Sequence, residues 1–267
     1  MADDHVHHDN ADETAVHGTP AAQRAKSLKY VGAFVLGGAV LAFVIGFLSL
    51  TLARYGIIGK LSGFIGFMMM LNPLRALAVI GLLATIAGIA MKIRPVWQAA
   101  LGTVLAVIGL AVLYFSVIIP GGNAPPLHDI TTNVDDPPEF TTLSLREDNL
   151  IPFQNIEEWK AAHRQGYPDI GPIVIEKSPE LVLADARALA EARGWDIANV
   201  DPASGHMEAT AYAGYLRFMD DVIVEVTPIA DGSTRVDMRS VSRVGLSDIG
   251  YNAKRIRAFL IDLQSQG

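Results

Sequence analysis

The sequence predicts an α+β protein in two parts: a three-helix transmembrane region, then a β-α-β-β-β-β-α domain, an antiparallel sheet with a long C-terminal helix. Three observations lead there. No Asp or Glu occurs between Glu13 and Asp129, and acids are among the costliest groups to bury in hydrocarbon. That acid-free stretch holds three long apolar runs. From about Ile173 onward, short alternating segments bounded by Gly, Pro and Asp replace them.

In chain order, residues 1–29 read as a disordered cytoplasmic tail, polar and of low complexity as far as Gln23. Its His5, His7, His8 and His17 can meet a divalent ion, but a flexible cluster lacks the supporting hydrogen bonds of a built site. Residues 30–119 read as the membrane region, with spans at about 31–53, 73–91 and 97–119. The first run, Val31–Ala53, has 23 uncharged residues, where a bilayer core requires roughly 20. Asn72-Pro73 opens the second, with Asn as cap and Pro tolerated in the first turn. Trp97 begins the third at an interface, and Pro120-Gly121-Gly122 is expected to stop it. Small residues at four-residue spacing (Gly38, Ala42 and Gly46; Ala84 and Gly88; Gly102 and Ala106) predict close helix packing.

Orientation follows from Lys and Arg in the flanks. Arg24, Lys26, Lys29, Lys92 and Arg94 fall on one side, against Arg54, Lys60 and Arg75 on the other. The bias predicts a multi-pass protein of the bacterial inner membrane, N-terminus cytoplasmic and C-terminal domain periplasmic. Segment 57–71 is apolar apart from Lys60 and reads as interfacial or re-entrant. Were it to span, the soluble half would be cytoplasmic.

Residues 120–172 read as a Pro-rich linker with one short helix, capped by Asn155 and followed by Gly166. Within it His128, Asp129, Asp135 and Asp136 offer hard metal ligands, and ordinary turn chemistry accounts for the same residues. From Pro120 onward 23 acids face 13 bases, which argues against nucleic acid as a partner. The absence of Cys excludes disulfides and thiolate chemistry.

Residues 173–267 form the expected soluble domain. Strands are predicted at Ile173–Ile175, Trp195–Val200, His206–Tyr212, Asp221–Ile229 and Thr234–Arg243, with helices opening at Ser178-Pro179 and at about Ser247. A three-residue turn at Asp231-Gly232-Ser233 would set Val226 against Met238, Val224 against Ser240 and Val222 against Ser242. Glu225 would then meet Arg239, and Asp221 would meet Arg243. Asp220 and Asp221, as strand neighbours, point to opposite faces.

The last helix carries an apolar stripe of Ile249, Ala253, Ile256, Leu260 and Leu263, on which Asn252 also falls. Ser240 and Ser242 share the sheet's apolar face, and Ser247 or Asp248 can cap the helix. A polar pocket is expected there, either a self-satisfied hydrogen-bond network or a ligand site using the helix start with Arg243 or Arg255. No GxSxG elbow, HExxH helix or phosphate-binding Gly loop occurs, so no catalytic residue, cofactor or metal is assigned.

HDITTNVDDPPEF from His128, RFMDDVIVEV from Arg217 and RVDMRSVSRVGLSDIGYNAKRI from Arg235 together resemble domain-of-unknown-function family 1499. The likeness covers about Pro125–Leu263. Members similar to this chain are proteobacterial proteins with an N-terminal membrane region, which implies a periplasmic domain. The family has no established activity, cofactor or substrate. The motif residues are Asp220, Asp221, Arg239, Ser240, Ser242, Arg243, Ser247, Asp248, Gly250, Asn252, Lys254 and Arg255; all but Gly250 and Lys254 are candidate ligand-binding residues. The expected function is a membrane-anchored module that binds a small amphiphilic, lipid-like ligand between sheet and helix, or an envelope protein. The alternatives are a structural subunit of an envelope complex and, third, an uncharacterised enzyme.

Overall fold

The computed structural model describes residues 19–94, 96–230 and 232–266; the tail histidines and Asp231 lie outside them. The chain divides into two units, residues 1–48 with 66–112, and residues 49–65 with 113–267.

Helix α1 runs Pro20–Arg54 and so begins well before the expected first span. After the short α2 (Lys60–Met68) come α3 (Leu71–Ala90) and α4 (Trp97–Leu113). Three helical stretches are long and apolar enough to cross a membrane, so the chain carries a membrane-compatible anchor. In the first unit the small residues mark close approaches: Ala42, Ala84 and Ala106 are buried. A Cβ on Gly102 would lie 2.7 Å from Leu36 N, so a larger residue would force α1 and α4 apart. Pro120-Gly121-Gly122 does not stop the third stretch as expected. A π-helical turn at Tyr114–Ile118 leads into α5 (Ile119–Asn123), where Pro120 sits in the first turn and its missing N–H is tolerated.

The second unit is built on one antiparallel sheet, ordered β1-β6-β5-β4-β3, with β2 also on β6. The strands are β1 (Asp129–Thr131), β2 (Ile173–Ile175), β3 (Asp196–Asp201), β4 (His206–Ala213), β5 (Phe218–Pro228) and β6 (Thr234–Ser242). Between them lie α6 (Ile156–Gly166) and α7 (Pro179–Ala192), and α8 (Tyr251–Gln264) closes the chain. Strand β1 falls in the stretch read as a linker, and β1 and β2 share one edge of β6, at residues 239–241 and 234–236.

Helices α7 and α8 pack against the sheet face that bears Val222, Val224, Val226, Val236 and Met238. Here α8 contributes Ala253, Ile256, Phe259, Leu260 and Leu263, none more than 5% exposed. The space where an apolar ligand was expected is therefore occupied by the protein's own side chains. Helix α6 closes the outer edge of β1: Asn155 Oδ1 caps it by accepting Glu158 N–H at 3.0 Å. Trp159 Nε1 donates to Asp129 O at 3.2 Å, and His163 Nε2 accepts Thr131 N–H at 3.0 Å. Two otherwise open edge groups are thus satisfied by ring nitrogens.

The β5–β6 register differs from the expected one. Val226 pairs with Val236, Val224 with Met238 and Val222 with Ser240. The loop spans Ile229–Ser233 and is closed by Ile229 N–H to Ser233 O at 2.9 Å and Gly232 N–H to Ile229 O at 3.1 Å. Because the offset is an even number of residues, every side chain keeps its predicted face and changes its partner. At the β3–β4 turn, Gly205 has φ +70° and a Cβ there would lie 2.3 Å from Val226 O, so both backbone angle and space require glycine.

Candidate functional site

Strand alternation divides the ten candidate residues between two clusters and one loop. Asp220, Ser240, Ser242, Asn252 and Arg255 meet on the helix-bearing face. Ser240 Oγ donates to Asn252 Oδ1 at 2.7 Å, and Asn252 Nδ2 donates to Ser242 Oγ and to His128 O, each at 2.9 Å. Arg255 Nη1 donates to Ser240 Oγ at 2.9 Å and to Asn252 Oδ1, while Nη2 reaches Asp220 Oδ2 at 2.6 Å. Burial pushes the Asp220 carboxyl up, against the Arg255 charge.

Ser247 and Asp248 lie in the loop before α8 rather than inside the helix. Asp248 performs the expected capping: its carboxylate accepts Gly250 N–H at 2.8 Å and Asn252 N–H at 2.5 Å. Ser247 Oγ accepts Ile249 N–H at 3.2 Å. Burial raises Asp248 to about 6 in spite of the two N–H donors, and nearby Asp220 adds to the rise.

Asp221, Arg239 and Arg243 project from the opposite face. Arg243 grips Asp221 through Nε and Nη2, both at 2.8 Å, and Nη2 also donates to Thr210 Oγ1 at 3.0 Å. This is the expected ion pair, reached diagonally because Asp221 is in register with Val241. The expected Glu225–Arg239 pair is not formed, since Glu225 stands opposite Asp237. Arg239 instead makes a bidentate pair with Asp129 on β1, Nε to Oδ1 at 3.0 Å and Nη2 to Oδ2 at 2.7 Å. Its Nη1 donates to Pro138 O at 2.9 Å, so the segment after β1 is held down on this face.

Glu208 on β4 holds the continuation of that segment. Its side chain is fully buried and accepts Thr141 N–H and Leu143 N–H, each at 2.6 Å, and the Thr141 hydroxyl at 2.7 Å. His206 Nε2 lies 2.9 Å from Glu208 Oε1. Burial alone would raise this carboxyl; the donors from Leu143, His206 and Thr141 outweigh it and hold Glu208 at about 2.

The anchored segment forms one wall of a groove of about 600 Å³. Asp136 and Glu139 line that wall; Asp201, Glu225 and His206 line the other side, with no Lys or Arg among the lining residues. Four carboxylates thus face the groove, with His206 Nδ1 4.0 Å from Glu225 Oε1.

The metal reading of the His128 segment finds no convergent geometry. Asp129 is taken by Arg239 and Asp135 by Arg164 at 2.5 Å, while Asp136 lines the groove. His128 is 2% exposed, and burial together with the Arg146 charge pushes it down, so it is neutral at pH 7. Glu208 and Thr210 were not among the candidates, and Asp129 was one only as a metal ligand. The first two were signalled by the uniform polarity of one face of β4, His206, Glu208, Thr210 and Tyr212, in a strand whose other face is apolar. The ion pair of Asp129 gave no signal, because its partner lies on a strand distant in sequence.

No curated protein matches the chain. The family model described as a protein of unknown function (DUF1499) matches residues 129–263, from the first residue of β1 into α8. That is just over half of the sequence, and the chain belongs to this family.

Proposed function

We propose that this chain is a membrane-anchored binding module of the bacterial inner membrane, its N-terminus cytoplasmic and its C-terminal domain periplasmic. The domain takes the cationic part of a small ligand or of an envelope protein in the groove between the Pro138 segment and the β3–β4 turn. The observation that carries this reading is the groove's lining: Asp136, Glu139, Asp201 and Glu225, unopposed by any Lys or Arg. The candidate residues support it indirectly, since Arg239 anchors the groove wall through Pro138 O. The inner network of Asn252 and Arg255 joins sheet to helix by hydrogen bonds.

Position bears on the class of ligand. Strand β4 runs His206–Ala213, so the groove lies roughly 25 Å along the sheet from the β4–β5 hairpin. That hairpin is the part of the domain that meets the end of α1: Arg54 Nη1 donates to Tyr215 O at 2.6 Å. A groove separate from that hairpin can take a periplasmic solute or a partner's basic segment.

Titrating the full chain in detergent micelles with spermidine and with an oligolysine peptide tests the reading. Saturable binding that is lost in Asp201→Asn with Glu225→Gln is expected, and unsaturable or unchanged binding would refute it. Saturation by the peptide alone would make the occupant a protein segment. A reporter fused at Gly267 checks the periplasmic side.

A further inference from the structure

The second unit contains a group of cations that have no carboxylate partner among the described residues. The β4–β5 hairpin tip, Tyr215-Leu216-Arg217, is held by the end of α1 and by α2. Arg54 Nη1 donates to Tyr215 O and Lys60 Nζ to Leu216 O, each at 2.6 Å, and Arg54 lies 4.7 Å from the centre of the Tyr215 ring. Arg217, with φ +54°, follows directly and stacks at 4.0 Å over the Tyr212 ring. The three cations are therefore gathered around three consecutive residues, and Arg54 and Arg217 both act on Lys60 as like charges. Among the described residues their partners are carbonyl oxygens and rings, and the Tyr212 hydroxyl beneath Arg217 donates to Asp196. Neutral acceptors leave the net charge of the group standing.

The surroundings say what would neutralise it. Helix α2 opens the second membrane-length stretch, Lys60–Ala90, so Lys60 stands at the very start of that stretch, where a cation meets the headgroup layer. A Cβ on Gly63 would lie 2.6 Å from Ser49 O and 2.2 Å from the Ala53 Cβ, so α2 lies hard against the last turns of α1. Phe64 meets Phe218 edge-on at 6.4 Å, which fixes the same helix to β5. Beside the cations, Ile57, Leu61 and Ile65 are all exposed, at 70%, 49% and 50%. Positive charge next to an apolar strip at the end of a membrane-length helix matches one amphiphile, an acidic headgroup joined to acyl chains.

We infer that Arg54, Lys60 and Arg217 bind the headgroup phosphate of an anionic phospholipid, whose acyl chains lie along Ile57, Leu61 and Ile65. The two guanidinium groups can each present paired N–H donors to phosphate oxygens, and Lys60 adds a point charge between them. Bound lipid would fix the hairpin to the bilayer surface and so set the height at which the domain stands. The inference is independent of any ligand in the groove.

The test uses the full chain in detergent, with retained lipid counted by native mass spectrometry after exposure to phosphatidylglycerol or phosphatidylcholine. The wild type is expected to favour phosphatidylglycerol, and Lys60→Gln and Arg217→Gln should each reduce that preference by about fivefold. Arg187→Gln, which removes an exposed cation on α7, should leave it unchanged, and Lys60→Arg should retain most of it even where Lys60→Gln disturbs folding. Equal retention of both lipids by the wild type, or an undiminished preference in both Gln variants, would overturn the assignment. Inorganic phosphate that saturates the site without lipid and abolishes the preference would overturn it in favour of a free phosphate.

Discussion

Acidification should loosen the edge of the sheet through a single side chain, His163. This histidine is fully buried, and its Nε2 accepts the Thr131 N–H at 3.0 Å, which requires a neutral ring. Burial, chiefly, holds it at about 4, with Arg164 adding to the depression and Asp129 opposing it. In the unfolded chain the ring titrates near its ordinary value of 6.5. Between those values the unfolded state binds a proton that the folded state refuses. The stability contributed is therefore whole above pH 6.5 and is lost as pH falls towards 4; the full gap corresponds to about 3 kcal/mol. Asp248 works in the opposite sense. Its carboxyl is raised to about 6, so its contribution weakens as pH rises from 3.8 to 6, and the overall pH profile partly conceals both groups. Comparison with His163→Gln separates them, because both proteins carry the same Asp248. The wild type's advantage over the variant at pH 7 should shrink by about 2 kcal/mol at pH 5. Urea unfolding of the full chain in micelles reads this through the fluorescence of Trp159, whose ring lies 5.6 Å from that of His163. A wild-type advantage that stays constant from pH 7 to pH 5 would refute the reasoning.

Three further outcomes follow from the contacts. Arg255→Met leaves Asp220, 1% exposed, without its cation and should cost about 3–5 kcal/mol, whereas adding Asp220→Asn should restore part of that loss in the same urea titration. Glu208→Gln removes the carboxylate that gathers Thr141, Thr142 and Leu143; the 139–147 segment should become sensitive to trypsin at Arg146, with a loss of about 2 kcal/mol at pH 7. Because Glu208 is held at about 2, that difference should fade as pH drops through the interval from 4.5 towards 2. Gly63→Leu should push α2 off α1, since even a Cβ meets Ala53 at 2.2 Å. The chain has no Cys, so cysteines introduced at Lys60 and Leu216, whose present contact spans a whole lysine side chain, should be bridged by a short bis-maleimide in the parent and less readily once Gly63 is replaced.

The sequence by itself determined the partition of the chain and the character of each face. An acid-free stretch with three apolar runs foretold three membrane-length helices, and strand alternation sent Asp220 and Asp221, Ser240 and Arg239, to opposite sides whatever the register. The caps at Asn155 and Asp248 were legible because they depend on neighbours within four residues. Tertiary structure decided the partners. The two-residue offset between β5 and β6 was invisible to face patterning, since an even slip leaves every apolar residue inside; the loop over Ile229–Ser233 selected it. Strand β1 rests on just three residues, too few to show a period, and only pairing with β6 made Asp129 the counter-ion of Arg239. The groove likewise arises from carboxylates far apart in sequence, which Arg239 and Glu208 bring together by holding one segment against the sheet. Local chemistry repeats along the chain and can be read there, whereas a long-range contact depends on the path between its two ends.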